Sequence, residues 1–136
     1  MATTQSQHFG FTKLLVADLE ASAAFYTEVC ALQELARVES SIGGRPIKEI
    51  MYQPTGEGAG MFVLLQFTDQ SAPGRDEVIL GFQTTDVGAF IERALAAGGS
   101  LVEPVKDMQE HGVRVGFVAD NEGHLIEVVE LLEQPA

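Results

Sequence analysis

The sequence predicts an α+β fold in which one strand–helix–three-strand unit (βαβββ) occurs twice. A constant shift of 68 residues superimposes the start of the chain on its middle, so that Asp18 meets Asp86 and Leu19 meets Val87. The polar segment 68–77 lies between the two copies. A supersecondary unit that recurs after about half the chain indicates an internal duplication. We therefore expect one domain over residues 9–132, with modules at about 9–67 and 78–132.

A helix in the second copy is the clearest local element, and it lies within residues 86–99. Asp86 can accept hydrogen bonds from the free amides of the first turn, and Gly98 suits a left-handed exit. The apolar residues follow helical spacing, which predicts one buried stripe. The stripe consists of Val87, Phe90, Ile91, Ala94 and Leu95.

The other elements follow from short apolar runs bounded by turn-forming residues. In the first copy we predict a strand over Phe11–Val16, a helix from Leu19 to about Cys30, and strands over 34–39, Ile47–Tyr52 and Met61–Phe67. In the second copy we predict strands over Val78–Thr84, 100–103, Val113–Val118 and Leu125–Leu131. Two polar segments, 40–46 and 104–112, are predicted as hinge-like loops that cover a ligand.

Composition excludes several classes of function. Hydrophobic residues make up 46% of the 136 residues, which predicts an ordered globular chain. A net charge of −12, with the acidic residues scattered, disfavours nucleic acid as a partner. Apolar runs are far shorter than the roughly 18 residues of a membrane span. A single cysteine, Cys30, and a polar N-terminus without signal-peptide features predict a cytoplasmic protein that does not bind membranes.

Two segments carry a family resemblance. Val16-Ala-Asp-Leu-Glu-Ala-Ser-Ala-Ala-Phe-Tyr26 and the closing hairpin from Gly112 to Glu127 are similar to signatures of the glyoxalase/bleomycin resistance/dioxygenase (vicinal oxygen chelate) superfamily. In the hairpin, Asn121 replaces the usual proline. The resemblance covers about residues 9–132. It implies a glyoxalase-like fold, with two βαβββ modules forming a curved mixed sheet around a pocket, and a homodimer.

The resemblance also implies four metal-ligand positions, which in this chain are Phe11, approximately Leu64, Ile79 and Glu127. Of these, Glu127 alone can ligate a metal, whereas an open catalytic site usually needs three protein ligands. We therefore expect no metal cofactor. A divalent metal held by His111, Glu127 and a third ligand remains the alternative.

Strand alternation places further side chains beside these positions. Lys13 and Leu15 share a face with Phe11, and Gln83 shares one with Ile79. His111 and Arg114 are expected at the pocket edge. Together with Leu64, these residues form the predicted ligand pocket.

Glu127 and Lys13 are the candidate catalytic residues of this pocket. A carboxylate in apolar surroundings can serve as a general base near neutral pH. A structural ion pair between Lys13 and Glu127 is an equally weighted interpretation.

Three functions remain open from the sequence. The first is a metal-independent protein that binds, and as an enzyme would transform by lyase or isomerase chemistry, a small and partly apolar molecule. The second is a metal-dependent lactoylglutathione lyase-like enzyme, epimerase or ring-cleaving dioxygenase. The third is an antibiotic-sequestering protein of the bleomycin-resistance type, which the acidic net charge suits. We favour the first, because the ligand positions do not supply a metal centre.

Overall fold

The structure is a computed structural model that describes residues 10–42, 44–69 and 78–132. Its first module contains β1 (Phe11–Leu15), α1 (Leu19–Cys30), β2 (Glu34–Ile42), β3 (Arg45–Tyr52) and β4 (Met61–Phe67). The second contains β5 (Ile79–Gln83), α2 (Val87–Ala96), β6 (Ser100–Met108), β7 (Val113–Ala119) and β8 (Leu125–Leu131). A 3-10 turn, Gln109–His111, joins β6 to β7. The predicted pair of βαβββ modules is confirmed.

Each module forms one mixed four-stranded sheet. The strand orders are β1-β4-β3-β2 and β5-β8-β7-β6, so the two sheets have the same topology. The first strand of each module runs parallel to the last, with Phe11 opposite Met61 and Ile79 opposite Leu125. The remaining pairs are antiparallel. β1 and β5 are therefore edge strands of their respective sheets.

Both helices begin as the sequence predicts. Asp18 has an extended backbone, and its side chain accepts a hydrogen bond from the amide of Ala21 at 3.1 Å. Asp86 accepts in the same way from Ala89 at 3.0 Å. Each carboxylate satisfies an amide that has no partner within the helix. The equivalence of Asp18 and Asp86 thus holds at the level of individual hydrogen bonds.

The last strand of each module also supports the start of its helix. The amide of Leu19 donates to Oε1 of Gln66 on β4 at 2.9 Å. The amide of Val87 donates to Oε1 of Glu130 on β8 at 3.0 Å. These two long side chains fix the approach of each helix to its own sheet.

The ends of the helices differ from each other. After α2, Gly98 has φ +99°, the left-handed exit that its position predicts. After α1, the left-handed position is occupied by Ala31 at φ +56°, where glycine would be less strained. In the predicted apolar stripe of α2, Leu95 is exposed and the other four residues are buried.

The two predicted loops are mostly strands. β2 continues to Ile42 and β3 begins at Arg45, and Ile42 pairs with Arg45, so the described residues of this segment belong to paired strands rather than to a hinge. β6 continues through Pro104 to Met108. Its pairing with β7 is irregular on both sides of Glu103, which accommodates the proline at a sheet edge. The prediction of covering loops was wrong over these residues, because strand pairing outweighed their polar composition.

One buried core joins the two modules. It includes side chains from both helices and from the sheet faces turned toward them, with Tyr26 packing near Phe62 of the first module and Phe82 of the second. No helix in the described part of the chain is long and apolar enough to cross a membrane.

The turn between β7 and β8 fastens the second module to the first. The carboxylate of Glu122 accepts hydrogen bonds from the amides of Ala17 and Asp18, each at 2.8 Å. The hydroxyl of Tyr26 on α1 donates to Asp120 at 2.8 Å. The module junction therefore depends on polar contacts as well as on the shared core.

Candidate functional site

Each sheet has an open face, defined here as the face turned away from its helix. A Cβ atom added to Gly116 would lie 2.8 Å from Ile91 of α2, so this side of β7 faces the helix. Gly116 pairs with Val128, which is fully buried on the same side. Because neighbouring residues of a strand alternate faces, Glu127 projects onto the open face of the second sheet.

Glu127 lies between a glycine and an aromatic ring. Its partners across the sheet are Gly81 on β5 and Phe117 on β7. Glu127 is half-buried, and no described residue forms a hydrogen bond or salt bridge with its carboxylate. A Cβ atom at Gly81 would meet nothing within 4 Å. The carboxylate is thus flanked by open space on the β5 side, and a ligand can approach it there.

Lys13 lies on the open face of the first sheet, but its partner is Glu49. The ammonium Nζ is 3.0 Å from Oε2 of Glu49 on β3. Since β1 and β3 flank β4, this ion pair crosses above Val63 and Leu65, both about 2% exposed. The structure therefore pairs Lys13 within its own sheet rather than with Glu127.

The predicted metal-ligand position on β4 is shifted by one residue. Glu127 pairs with Gly81, whose counterpart in the first module is Lys13, and Lys13 pairs with Val63. Val63, rather than Leu64, is therefore the counterpart of Glu127. Leu64 faces α1 in the buried core, so it does not line the open face.

The corrected donor set does not fit a divalent metal. Phe11, Val63 and Ile79 carry hydrocarbon side chains, which leaves the single carboxylate of Glu127. Among the described residues, no group of three His, Cys, Asp or Glu side chains could hold a metal ion. His8 lies outside the described residues.

A cleft of about 660 Å³ lies between the modules. All five residues of β5 line it on one side, and Thr12, Gln53 and the Gly58–Gly60 turn lie opposite. Phe62 and Phe82 supply aromatic surface. None of the described residues that line the cleft carries a charge. Such a site favours an uncharged ligand of small to moderate size.

The cleft contains two residues of the predicted pocket, Ile79 and Gln83. Leu15 is half-buried on the open face of β1, and Phe11 is exposed there. His111 ends the 3-10 turn after β6 and is exposed. These positions show that the predicted pocket residues are divided between the cleft, the open faces and the protein surface.

Arg114 does not lie at the predicted edge of the pocket. It pairs with Glu130 across β7 and β8, and so lies on the side of α2. Its Nε donates to Asp107 at 2.7 Å. Arg114 and Glu127 are thus on opposite faces, because the phase assigned to β7 from the sequence was one residue off.

Sequence reasoning missed Glu49, Gly81 and Phe117. Glu49 follows the alternation Ile47, Glu49, Met51, so its carboxylate among apolar residues was a visible signal. Gly81 lies on the same strand face as Ile79 and Gln83, but the pairing that sets it beside Glu127 depends on strand register and was not visible in the sequence. Phe117 could be matched to Glu127 only after the register of β7 was known.

Asp120 and His124 are buried in the turn between β7 and β8 and form a structural ion pair. His124 Nδ1 lies 2.8 Å from the Asp120 carboxylate. The hydrogen bond with Asp120 raises the pKa of His124 against the opposing effect of burial. Burial alone would raise the pKa of Asp120, but hydrogen bonds from His124 and from two backbone amides lower it overall. The pair is therefore stabilised in its charged form.

Cys30 is not activated as a nucleophile. Burial raises the pKa of its thiol to about 12, and the nearby Arg93 offsets this only in part. The Cys30 side chain therefore stays a protonated, unreactive thiol near neutral pH.

Comparisons with known proteins agree with this architecture. The chain is 26% identical over 126 residues to a probable lactoylglutathione lyase of Vibrio parahaemolyticus, covering 88% of this chain and 87% of that protein. A glyoxalase family protein from Bacillus cereus superimposes with a TM-score of 0.81 at 19% identity, covering 98% and 99% of the two chains. A glyoxalase-related enzyme from Fulvimarina pelagi gives a TM-score of 0.64 at 29% identity, covering 91% and 88%.

The family model for the Glyoxalase/Bleomycin resistance protein/Dioxygenase superfamily matches residues 7–128, which cover the first module and the second as far as the middle of β8. The paired four-stranded sheets and their helices have the architecture that this match implies. The chain belongs to the Glyoxalase/Bleomycin resistance protein/Dioxygenase superfamily.

Proposed function

We propose that this protein binds a small, partly apolar molecule between its modules and works with the Glu127 carboxylate in place of a metal centre. The observation that carries the proposal is the position of Gly81. This residue lines the uncharged cleft and is also the sheet neighbour of Glu127. Since Gly81 has no side chain, no side chain from this position separates the cleft from the Glu127 carboxylate.

Glu127 has two roles in this proposal. As a carboxylate it accepts a hydrogen bond from the bound molecule, and this orients the ligand. Where the ligand carries an acidic C–H or N–H group, the same carboxylate can take that proton as a general base. Many lyase and isomerase reactions of small molecules begin with such a proton transfer. The Lys13 ammonium is paired with Glu49, so Lys13 has no direct catalytic role in this proposal.

The relative from Vibrio parahaemolyticus, described as a probable lactoylglutathione lyase, supports a second candidate. That candidate requires a glutathione adduct as substrate. Such an adduct is an anion, whereas the cleft has no charged lining residue among those described and the chain carries a net charge of −12. Electrostatics therefore favour an uncharged ligand.

Thermal unfolding with a ligand panel tests the proposal, because a ligand that binds only the folded state raises the Tm. The panel contains uncharged bicyclic aromatics, cationic drugs and the glutathione hemithioacetal of methylglyoxal. We expect stabilisation by the uncharged compounds. Glu127→Gln should weaken this effect, whereas Glu103→Gln, which changes an exposed carboxylate on β6, should not.

Two results would contradict the proposal. One is a stoichiometric transition metal in the purified protein, measured by elemental analysis, together with metal-dependent turnover of the hemithioacetal. The other is stabilisation confined to cationic drugs, which would support the sequestering function instead.

A further inference from the structure

The free edge of β5 gives the cleft a specific hydrogen-bonding pattern. The amide of Thr84 donates to the carbonyl of Val129 on β8, so the alternate residues Phe82 and Leu80 also turn their backbone groups toward β8. The backbone N–H and C=O groups of Ile79, Gly81 and Gln83 consequently point away from the sheet. All three residues line the cleft.

These edge groups have no partner within the described chain. Outside the ladder between β5 and β8, no described residue forms a hydrogen bond with Ile79, Gly81 or Gln83. The corresponding edge of β1 is different, because the carbonyl of Leu15 accepts a hydrogen bond from His124. Unpaired backbone groups on a strand edge readily pair with an incoming donor and acceptor.

The spacing of these groups selects a ligand shape. On one edge of an extended strand, the N–H and C=O groups of the same residue lie side by side and point in the same direction. Ile79, Gly81 and Gln83 each present one such set at the free edge of β5. A planar ring with adjacent N–H and C=O groups is complementary to any of these sets.

The surroundings of the edge add two further requirements. Phe62 and Phe82 offer flat apolar surface to an aromatic ring. The described lining residues carry no charge, in a chain where 21% of residues are charged. An ionised ligand would lose its hydration in the cleft without gaining a countercharge, and this disfavours it.

We infer that the ligand of the cleft is a neutral planar lactam or lactam-like heterocycle, whose cyclic amide pairs with the free N–H and C=O groups of Gly81 on the edge of β5. This inference rests on the proposed function and specifies its ligand class. The ring lies against Phe62 and Phe82, and the cyclic amide provides one donor and one acceptor. Glu127 projects from the face of the second sheet opposite to Phe82 and lies across Gly81 from the cleft.

A pair of matched probes tests the backbone pairing on the unmodified protein. 2-Quinolone has the required donor and acceptor, and 1-methyl-2-quinolone has nearly the same shape but no N–H group. With the full-length ¹⁵N-labelled chain, we expect 2-quinolone to bind about tenfold more tightly, the effect of one well-formed hydrogen bond. The amide signals of Gly81 and Gln83 should shift with 2-quinolone.

Gly81→Pro removes the edge N–H group without removing a hydrogen bond to β8, because that group points away from the sheet. We expect it to weaken 2-quinolone binding by about tenfold. The comparison variant Gly81→Ala keeps the N–H group and adds only a methyl that meets nothing within 4 Å, so the loss of affinity in Gly81→Pro beyond that in Gly81→Ala measures the missing hydrogen bond. The probe pair still tests the inference on the unmodified chain if Gly81→Pro does not fold.

The outcomes separate the inference from the proposed function. Equal affinities for the two probes, with shifts at Phe62 and Phe82, would overturn the lactam assignment and leave a small-molecule cleft. Tighter binding of the capped peptide acetyl-Val-Thr-Val-methylamide than of 2-quinolone would also overturn it, in favour of a strand-like ligand. If no probe shifts the amide signals of Phe62, Phe82 or β5, both proposals are overturned.

Discussion

The hydroxyl of Tyr26 donates a 2.8 Å hydrogen bond to the carboxylate of Asp120, which links α1 of the first module to the β7–β8 turn of the second. Both residues are buried, at 0% and 3% exposure. Burial, followed by the neighbouring Asp120 carboxylate, raises the pKa of Tyr26 far above its usual range. The hydroxyl therefore stays protonated and acts as a permanent donor across the module junction.

Removing this donor should destabilise the fold. Tyr26→Phe leaves the Asp120 carboxylate buried with one fewer donor, and we expect a loss of about 1–3 kcal/mol in the free energy of unfolding. Urea unfolding at neutral pH measures the change. Tyr52→Phe is the matched control, because Tyr52 is also fully buried and its hydroxyl forms no hydrogen bond with a carboxylate among the described residues. Equal losses for the two variants would contradict a special role for the Tyr26 contact.

His124 makes the stability of the junction depend on pH. Its pKa is raised in the folded protein by the hydrogen bond with Asp120. Its contribution is therefore complete below the unfolded value of about 6.5 and is lost as the pH rises through the folded pKa. The unfolding free energies of the wild type and His124→Gln should differ most at about pH 6 and converge above the raised pKa.

Asp120 determines how the stabilisation by this pair is lost at acidic pH. Its pKa is lowered on folding, so its stabilising effect is present above the unfolded value of about 3.9 and is lost as the pH falls through the folded pKa. Asp120→Asn should remove both the acid-side loss and the alkaline-side loss due to His124. An unchanged alkaline decline in Asp120→Asn would show that the decline does not come from this pair.

The ion pair of Lys13 and Glu49 should behave as a structural unit. Glu49 is the more buried partner, with 11% of its side chain exposed against 32% for Lys13. Lys13→Met leaves this carboxylate without its partner, and we expect a loss of about 1–3 kcal/mol in stability. The double variant Lys13→Met/Glu49→Met should recover most of it, because no unpaired charge remains. A double-mutant cycle by urea unfolding measures the coupling, and additive losses would refute it.

Gly99 cannot accept a side chain. A Cβ atom there would lie 2.5 Å from the carbonyl oxygen of Ala119 and 2.9 Å from that of Ala94, and both are backbone atoms. Gly99→Ala should therefore cost about 2 kcal/mol or more through displacement of β6 from α2. Gly81→Ala is the matched control and should change stability by less than about 0.5 kcal/mol, because its added methyl meets nothing. Thermal unfolding distinguishes the two, and a similar Tm for both would contradict the close approach.

The sequence by itself determined the two modules and their helix starts. Asp18 and Asp86 lie 68 residues apart and cap equivalent helices, because capping depends on a side chain and amides only two or three residues away. The hydrocarbon side chains of Phe11 and Ile79, at two positions where the resemblance implies metal ligands, could also be read directly. What can be recognised from local spacing was thus predicted, and the family followed from two such segments.

Only the tertiary structure decided which of these residues meet. The partner of Lys13 is Glu49, 36 residues away, and the neighbour of Glu127 is Gly81, 46 residues away. A register shift of one residue moves a side chain to the other face, which is why Leu64 and Arg114 were assigned to the pocket and lie on the helix side. The composition of the cleft was hidden for the same reason, since β5 and the Gly58–Gly60 turn meet only when the modules pack together.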